Sequence, residues 1–199
     1  MHRLLALLVA LAALIAAPAS ALAQTDAGSG PNQVVVVDNS TDGTMLARGS
    51  VQIGSTAADT VTATNLAVAK SHDCTGCETR SAAFQAVVMT GDPTYVSPRN
   101  VASATNVNCD SCASFAFAFQ YAVTVNGSVT FSQATRDQID AIRHEVSQDL
   151  RSDVTYADLD LELQDLAAQF RAAIDAGLNS TGTAVVDRQS VIRQRLAAG

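Results

Sequence analysis

The sequence predicts an α/β fold: a small parallel or mixed sheet built from about three 35-residue strand–helix repeats, followed by a C-terminal helical hairpin. Two observations predict it. The same short motifs return at a constant spacing of 35 residues through the middle of the chain, which is typical of a repeat architecture. After Ser132 the apolar pattern changes from a period of two to a helical period. The chain therefore divides into a repeat domain, 32–131, and a helical hairpin, 132–177, packed on the repeat sheet.

The repeat is defined by three motifs that share one offset without a gap. N-x-A-x-A, C-x-x-C and Phe-Gln each occur twice: Asn65/Ala67/Ala69 with Asn100/Ala102/Ala104, Cys74/Cys77 with Cys109/Cys112, and Phe84-Gln85 with Phe119-Gln120. A fainter first copy starts at Asn32, where Val34 and Val36 replace the two alanines, and Asp42-Gly43 stands near its missing C-x-x-C. Three tandem units are therefore expected, the first of them degenerate.

Each unit is expected to contain a strand and a short helix. Bulky and small side chains alternate along 115–125, which predicts a strand with one bulky and one small face, and repeat equivalence extends this prediction to 80–90. Ser97-Pro98 has the residue types of a helix N-cap and first turn, so a helix is predicted from there to about Asn106. If the units stack, the glutamines that recur once per unit are expected to form a hydrogen-bonded ladder: Gln52, Gln85 and Gln120.

The first unit is predicted to contain a β-hairpin. Two apolar runs, 34–37 and 45–53, flank Asp42-Gly43, and Asp-Gly suits a primed hairpin turn. Residues 38–43 also resemble the opening of a calcium-binding loop, with oxygen-bearing side chains at alternate positions. Gly49 stands where such a loop needs a bidentate glutamate, so the turn is the favoured interpretation.

Two amphipathic helices are predicted after Ser132, separated by a break at 153–155. Their apolar residues recur at helical spacing: Ile139, Ile142, Val146 and Leu150 in the first, and Leu159, Leu163, Leu166, Phe170 and Ile174 in the second. Gly177 is predicted as the C-cap of the second helix, and the bulky face of the sheet is the expected partner of both apolar stripes. Residues 178–199 are expected to form a linker, or a late strand within 178–186, and a frayed tail.

The N-terminus has the layout of a signal peptide. A short basic start, Met1 to Arg3, precedes an apolar run over 4–17 and a small-x-small site that ends at Ala23. We therefore expect 1–23 to be a signal peptide cleaved after Ala23 and 24–31 to be a disordered N-terminus. The mature chain is expected to be secreted, with no membrane span.

Composition and motifs exclude several classes of function. Nineteen acidic residues against 12 basic ones give a net charge of −7, which argues against a nucleic-acid partner because the phosphate backbone requires clustered positive charge. His144-Glu145 begins like the helix motif of zinc proteases, but Gln148 stands where the second histidine ligand is needed. The chain is therefore not expected to be an enzyme.

The four cysteines are the candidate site residues. In an exported chain Cys74, Cys77, Cys109 and Cys112 are expected to form disulfides, with three possible pairings. The alternatives are a four-thiolate zinc site, beside which His72 offers a spare nitrogen ligand, and a thiol-redox site. The 31 residues between Cys77 and Cys109 exceed the usual spacing of a zinc ribbon. Redox catalysis is disfavoured because each C-x-x-C precedes a strand instead of opening a helix. No other cofactor is expected.

These elements together resemble a family of secreted bacterial proteins of unassigned function. Its hallmark is N-x-A-x-A, then C-x-x-C, then alternating small and bulky residues that end in glutamine, and a helical tail. The resemblance covers roughly 32–175 of this chain. Some members are labelled peptide zinc metalloproteases. This label implies an association with such proteases and no demonstrated activity.

The expected function is that of a secreted, non-enzymatic structural or interaction module. Its corners would be joined by C-x-x-C disulfides, and its partner would be a protein at the cell surface. The alternative is an extracellular zinc-binding or thiol-redox protein that serves as an accessory to a membrane metalloprotease.

Overall fold

The repeats stack on one another; each repeat, called a coil below, is one turn of the chain and contributes one strand to each of two sheets. A computed structural model describes residues 30–180 and 185–198. Eight strands come first: β1 Gln33–Asn39, β2 Met45–Thr56, β3 Thr60–Val61, β4 Thr64–His72, β5 Glu78–Thr90, β6 Tyr95–Val96, β7 Arg99–Val107 and β8 Ala113–Val125. Two helices and a last strand follow: α1 Gln133–Asp149, α2 Tyr156–Ser180 and β9 Val185–Ala198. The predicted α/β class is confirmed.

Successive coils place equivalent strands side by side in two largely parallel sheets. Sheet A has the order β1-β4-β7 and sheet B the order β2-β5-β8-β9, while β3 and β6 form a third, short ladder. Among the described strands the pairs are parallel, apart from antiparallel β8 and β9. Asn65 pairs with Asn100 and Phe84 with Phe119. The spacing of 35 residues is thus the length of one coil, so equivalent residues become neighbours.

The sheets and helices form three layers. Small side chains fill the space between sheets A and B: Val35, Ala67, Ala69, Ala83, Ala102, Ala116 and Ala118. The opposite face of sheet B carries bulky side chains, among them Phe84, Phe119 and Tyr121, which pack with the apolar stripes of α1 and α2. The predicted strand with one bulky and one small face is therefore confirmed, and the helical pair covers the bulky face.

The helix predicted from Ser97-Pro98 to Asn106 is wrong. These residues lead into and form β7, which pairs with β4 along its whole length. The buried positions of β4 alternate strictly, and the asparagine and alanines of N-x-A-x-A occupy them. Alanine is selected here because the space between the two sheets is narrow, not because the chain is helical.

The hairpin predicted in the first unit is also wrong. β1 and β2 belong to different sheets, and each pairs with the equivalent strand of the second coil instead of with the other. The predicted register of β1 shifts by one residue, because Val35 and Val37 lie opposite Ala67 and Ala69. The reason is a shorter corner: five residues lie between Asn39 and Met45, whereas six lie between their partners Ser71 and Glu78.

The helical pair begins and packs as predicted but ends later. The Ser132 hydroxyl caps α1 by accepting a hydrogen bond from the Thr135 N–H at 3.1 Å. Gly177 is not a C-cap, because α2 continues to Ser180. An added Cβ at Gly177 would lie 2.6 Å from the ring of Phe131, so this glycine permits close approach of the segment before α1.

The last segment differs from the predicted linker and frayed tail. Residues 178–180 still belong to α2, and Val185–Ala198 form β9, which pairs with β8 from Ala113 to Val125. Because β8 is the sheet B strand of the last coil, β9 closes the edge that the repeats leave open.

The contact of α1 with the first coil depends on the absence of a side chain at Gly49. A Cβ there would lie 2.6 Å from Val146 Cγ1 and 3.0 Å from Leu150 Cδ1. We expect Gly49→Val to lower the free energy of unfolding by about 1–3 kcal/mol, because α1 must move away from β2. Denaturant unfolding measures this effect. Ser55→Val, at an exposed position of the same strand, is the control, and equal stability of the two variants would contradict this contact.

Candidate functional site

The four cysteines lie together at one corner of the coils, between sheets A and B. Cys74 and Cys77 form the turn from β4 to β5, and Cys109 and Cys112 form the equivalent turn from β7 to β8. The residue before each C-x-x-C has a left-handed backbone, with φ of 53° at Asp73 and 49° at Asn108. Aspartate and asparagine tolerate this conformation better than other residues with side chains. We call these four residues the cysteine corner.

The cysteine corner contains two pairs at disulfide distance. The sulfurs of Cys74 and Cys77 are 2.02 Å apart, and those of Cys109 and Cys112 are 2.12 Å apart. Each bond therefore lies within one coil, which is one of the three pairings that the sequence allows. Stacking also brings the two pairs together, because Cys74 Sγ lies 3.6 Å from Cys109 Sγ and 3.8 Å from Cys112 Sγ. Cys109 is half-buried, and the other three are buried.

Threonines take the place of the cysteines in the first coil. The Glu78 N–H donates to the Thr44 carbonyl as the Ala113 N–H donates to that of Cys77, so Thr44 is equivalent to Cys77 and Thr41 to Cys74. Thr44 Oγ1 donates to the Thr41 carbonyl at 2.7 Å, which closes the turn without a covalent bond. The T-x-x-T of residues 41–44 keeps the spacing of C-x-x-C and is the sequence signal of this equivalent turn.

The acidic side chains around Asp42-Gly43 bond to the neighbouring coil. Asp42 Oδ1 accepts from the Thr75 N–H at 2.8 Å. Asp38 lies 2.9 Å from His72 Nε2 and 3.7 Å from Lys70 Nζ. These contacts give residues 38–43, which resemble the opening of a calcium-binding loop, a role in joining coils.

His72 does not face the sulfurs. Its Nε2 lies 2.9 Å from Asp38 Oδ1 and its Nδ1 lies 2.9 Å from Asp73 Oδ2, so both ring nitrogens are bound to carboxylates. Hydrogen bonds from His72 and from Asn108 lower the pKa of Asp73 below its ordinary value. The structure therefore places His72 in a hydrogen-bond network with Asp38 and Asp73, not among the sulfur atoms. His144, the other histidine considered from the sequence, is exposed on α1.

An acidic groove opens onto the cysteine corner. Its volume is about 600 Å³, and its lining includes the carboxylates of Asp42, Asp73 and Asp110 together with Cys74 and Cys109. Cys109, the half-buried member of the cysteine corner, borders solvent in this groove. Its charge favours positively charged visitors over anions.

Side-chain amides join the coils elsewhere. Gln120 Nε2 donates to Gln85 Oε1 at 2.7 Å, so these two predicted members of the glutamine ladder do stack. Gln52 is in register with Gln85, whose own amide donates at 2.9 Å to the Pro31 carbonyl. Asn65 Nδ2 donates to Asn100 Oδ1 at 2.8 Å, a ladder that the sequence reasoning did not predict although the residues recur 35 positions apart. These amides lie where coils meet, which makes them structural.

Comparison with known proteins gives no match: no family model, no curated protein and no solved structure matches this chain. Neither of the two helices in the described part of the chain is both long and apolar enough to cross a membrane. The functional argument therefore rests on the residues and geometry of the cysteine corner and of the coils around it.

Proposed function

We propose that this chain is an exported, non-enzymatic structural or interaction module whose corners are stapled by the Cys74–Cys77 and Cys109–Cys112 disulfides. One observation carries the proposal: the four cysteines are paired within coils at the point where each coil turns. Paired cysteines of this kind are typical of oxidising compartments. Export would follow cleavage after Ala23, and both the signal peptide and 24–29 lie outside the described residues.

The thin core between the sheets explains why covalent bonds are useful here. It is filled mainly by alanines, which bury little apolar area per residue and so contribute little hydrophobic stabilisation. A disulfide that closes a loop of four residues is worth about 2 kcal/mol in the chain-entropy model. Two such bonds stabilise the second and third coils, in which the cysteines occur.

An interaction role is supported by the outer face of sheet A. Val34 and Val36 of β1 are 58% and 49% exposed, and they alternate with the buried Val35 and Val37. Exposed apolar rows are typical of surfaces that bind other proteins. The proposed partner is a protein at the cell surface that presents an apolar face to this row.

Thiol counting on the exported protein tests the proposed function. We expect no thiol to react with an alkylating reagent in the denatured, unreduced chain, four to react after reduction, and no zinc to be released by a chelator. Peptide mapping without reduction should then recover Cys74 with Cys77 and Cys109 with Cys112. Four thiols exposed by chelation, together with one equivalent of zinc, would show that the exported protein is a zinc protein instead. Co-purification with a membrane metalloprotease is the result expected for the accessory role.

A further inference from the structure

We propose that the cysteine corner is a redox-gated zinc site: in its reduced state Cys74, Cys77, Cys109 and Cys112 enclose one Zn²⁺ ion. This is a second state of the same side chains, and it goes beyond the role of the disulfides as staples. The proposal follows from where stacking places the sulfurs of different coils.

The distances between coils already fit a tetrahedral zinc site. With Zn–S bonds of about 2.3 Å, the sulfurs of a four-thiolate tetrahedron lie about 3.8 Å apart. Cys74 Sγ lies 3.6 Å from Cys109 Sγ and 3.8 Å from Cys112 Sγ. The ligand atoms of these three residues all lie within 4.8 Å of one another. Cys77 is not one of these three residues; its sulfur, bonded to Cys74 at 2.02 Å, would supply the fourth ligand once reduction releases it.

The coil length removes the objection from sequence spacing. A zinc ribbon brings two C-x-x-C pairs together through a short hairpin, and 31 intervening residues are too many for that. Here those residues complete one coil, and Thr75 and Asp110 at the centres of the two motifs form a parallel bridge. The second pair therefore returns directly on top of the first.

Access and ligand chemistry both point to a divalent cation. The groove above the sulfurs carries the carboxylates of Asp42, Asp73 and Asp110, and this negative charge raises the local concentration of cations and their rate of association. His72 is held by Asp38 and Asp73, which leaves sulfur as the donor set. Thiolates bind zinc strongly and compete poorly for calcium or magnesium.

The conversion balances with a dithiol as the reductant. Each protein disulfide accepts two electrons and two protons from one dithiol, which itself becomes a disulfide, and two cysteine thiols are formed. Two dithiols therefore reduce the corner. Binding of Zn²⁺ by the four thiols then releases four protons to solvent. A small-molecule disulfide as oxidant reverses the process: two oxidant disulfides together take four electrons from the cysteine thiolates and four protons from solvent and become dithiols, while the two S–S bonds form and Zn²⁺ is released.

Cobalt titration of the mature chain, 24–199, tests the proposal. The protein is reduced anaerobically and titrated with Co²⁺, whose visible absorption reports tetrahedral thiolate coordination, and Zn²⁺ is then added. We expect one equivalent of Co²⁺ to bind, Zn²⁺ to displace it, and the oxidised protein to show no such absorption. A reduced chain without this spectrum, or equal binding by the oxidised chain, would overturn the site.

Two variants test whether the metal is bound by the cysteine thiolates and not by neighbouring side chains. Cys74→Ser removes the sulfur shared by both contacts between coils, and we expect it to weaken Co²⁺ binding at least tenfold. Loss of a residue that only hydrogen-bonds to a metal ligand already weakens metal binding about tenfold or more, and loss of a ligand should cost at least as much. His72→Gln should leave the cobalt spectrum unchanged. Binding by Cys74→Ser as tight as in the unmodified chain, or a changed spectrum in His72→Gln, would overturn the four-thiolate assignment.

Circular dichroism shows whether the reduced chain is folded, so a failure to bind Co²⁺ can be distinguished from unfolding. If the reduced chain unfolds, we expect Zn²⁺ to restore its β-sheet spectrum, because binding to a structural site is coupled to folding. A reduced chain that stays unfolded in Zn²⁺ and shows no tetrahedral cobalt spectrum would also overturn the proposal. None of these failures affects the staples, which thiol counting on the oxidised, exported protein tests separately.

Discussion

A chain that ends at residue 184 is expected to aggregate. It lacks β9, and β8 then becomes an uncovered edge of 13 residues beside the aromatic layer of sheet B. Long, apolar, unpaired edges are sites of strand-to-strand association. The truncation also removes the Val191 carbonyl, which accepts from Asn100 Nδ2 at 2.6 Å, and the Ala197 carbonyl, which accepts from Asn106 Nδ2 at 3.1 Å.

The expected loss of stability is large because backbone and side-chain bonds disappear together. At about 1 kcal/mol for each hydrogen bond, the two asparagine contacts and even a few backbone pairs remove at least 3 kcal/mol. Size-exclusion chromatography and denaturant unfolding measure the two effects. Arg193→Gln with Arg195→Gln is the control, because both side chains are exposed on β9 and changes at such positions usually stay within about 0.5 kcal/mol. If the truncated chain showed no larger species than the full chain and were equally stable, the tail would be frayed as the sequence predicted.

The offset of 35 residues predicted contacts between repeats more reliably than local residue types predicted which segments are helices or strands. In stacked coils, residues one period apart touch, so a sequence offset becomes a contact: Cys74 lies against Cys109, and Gln85 bonds to Gln120. The bulky–small alternation of β8 and the apolar stripes of α1 and α2 were equally readable, since each follows from burial on one face. These features place the cysteine corner and the helical pair without any three-dimensional information.

The helix predicted at 98–106 failed because local residue types were given more weight than stacking. Ser97-Pro98 suits a helix start, and alanine has the highest helix propensity, so a short segment with alternating alanines supports either structure. The narrow space between the sheets decides the matter: buried Ala102 needs to be small, and Asn100 needs an inward side chain that reaches the carbonyls of sheet B. Neither demand is visible within one repeat.

β9 and the threonine corner were missed for a different reason: neither carries the repeated motif. β9 is antiparallel and has no equivalent in the coils, and its Arg188, Arg193 and Arg195 resemble a solvated tail. Charged side chains are nevertheless what an edge strand needs to resist pairing with other molecules. Thr41 and Thr44 keep the spacing of the cysteines while changing their chemistry, so a search for cysteine passes over them.

Replacement of Asn65 by alanine is expected to cause the largest loss among single substitutions between the sheets. Asn65 is fully buried, and its Nδ2 lies within hydrogen-bond distance of three acceptors: the Ala83 carbonyl at 3.0 Å, the Phe119 carbonyl at 2.9 Å and Asn100 Oδ1 at 2.8 Å. Asn65→Ala leaves these acceptors without their donor in a region that water does not reach. We expect a loss of about 3 kcal/mol in the free energy of unfolding, measured by denaturant titration.

A double-mutant cycle shows whether the effect belongs to the ladder or to one buried residue. Asn100→Ala removes the next rung, whose Nδ2 donates to the Ala118 carbonyl at 2.9 Å. Because Asn65 and Asn100 share a hydrogen bond, we expect a coupling energy of at least about 0.5 kcal/mol between the two substitutions. Ser103→Ala, in the same strand as Asn100, is the matched control and should add to Asn65→Ala without coupling. Simple additivity of the two asparagine substitutions would mean that the hydrogen bond between the two side chains adds nothing to the bonds that each residue makes with sheet B, and would contradict the ladder.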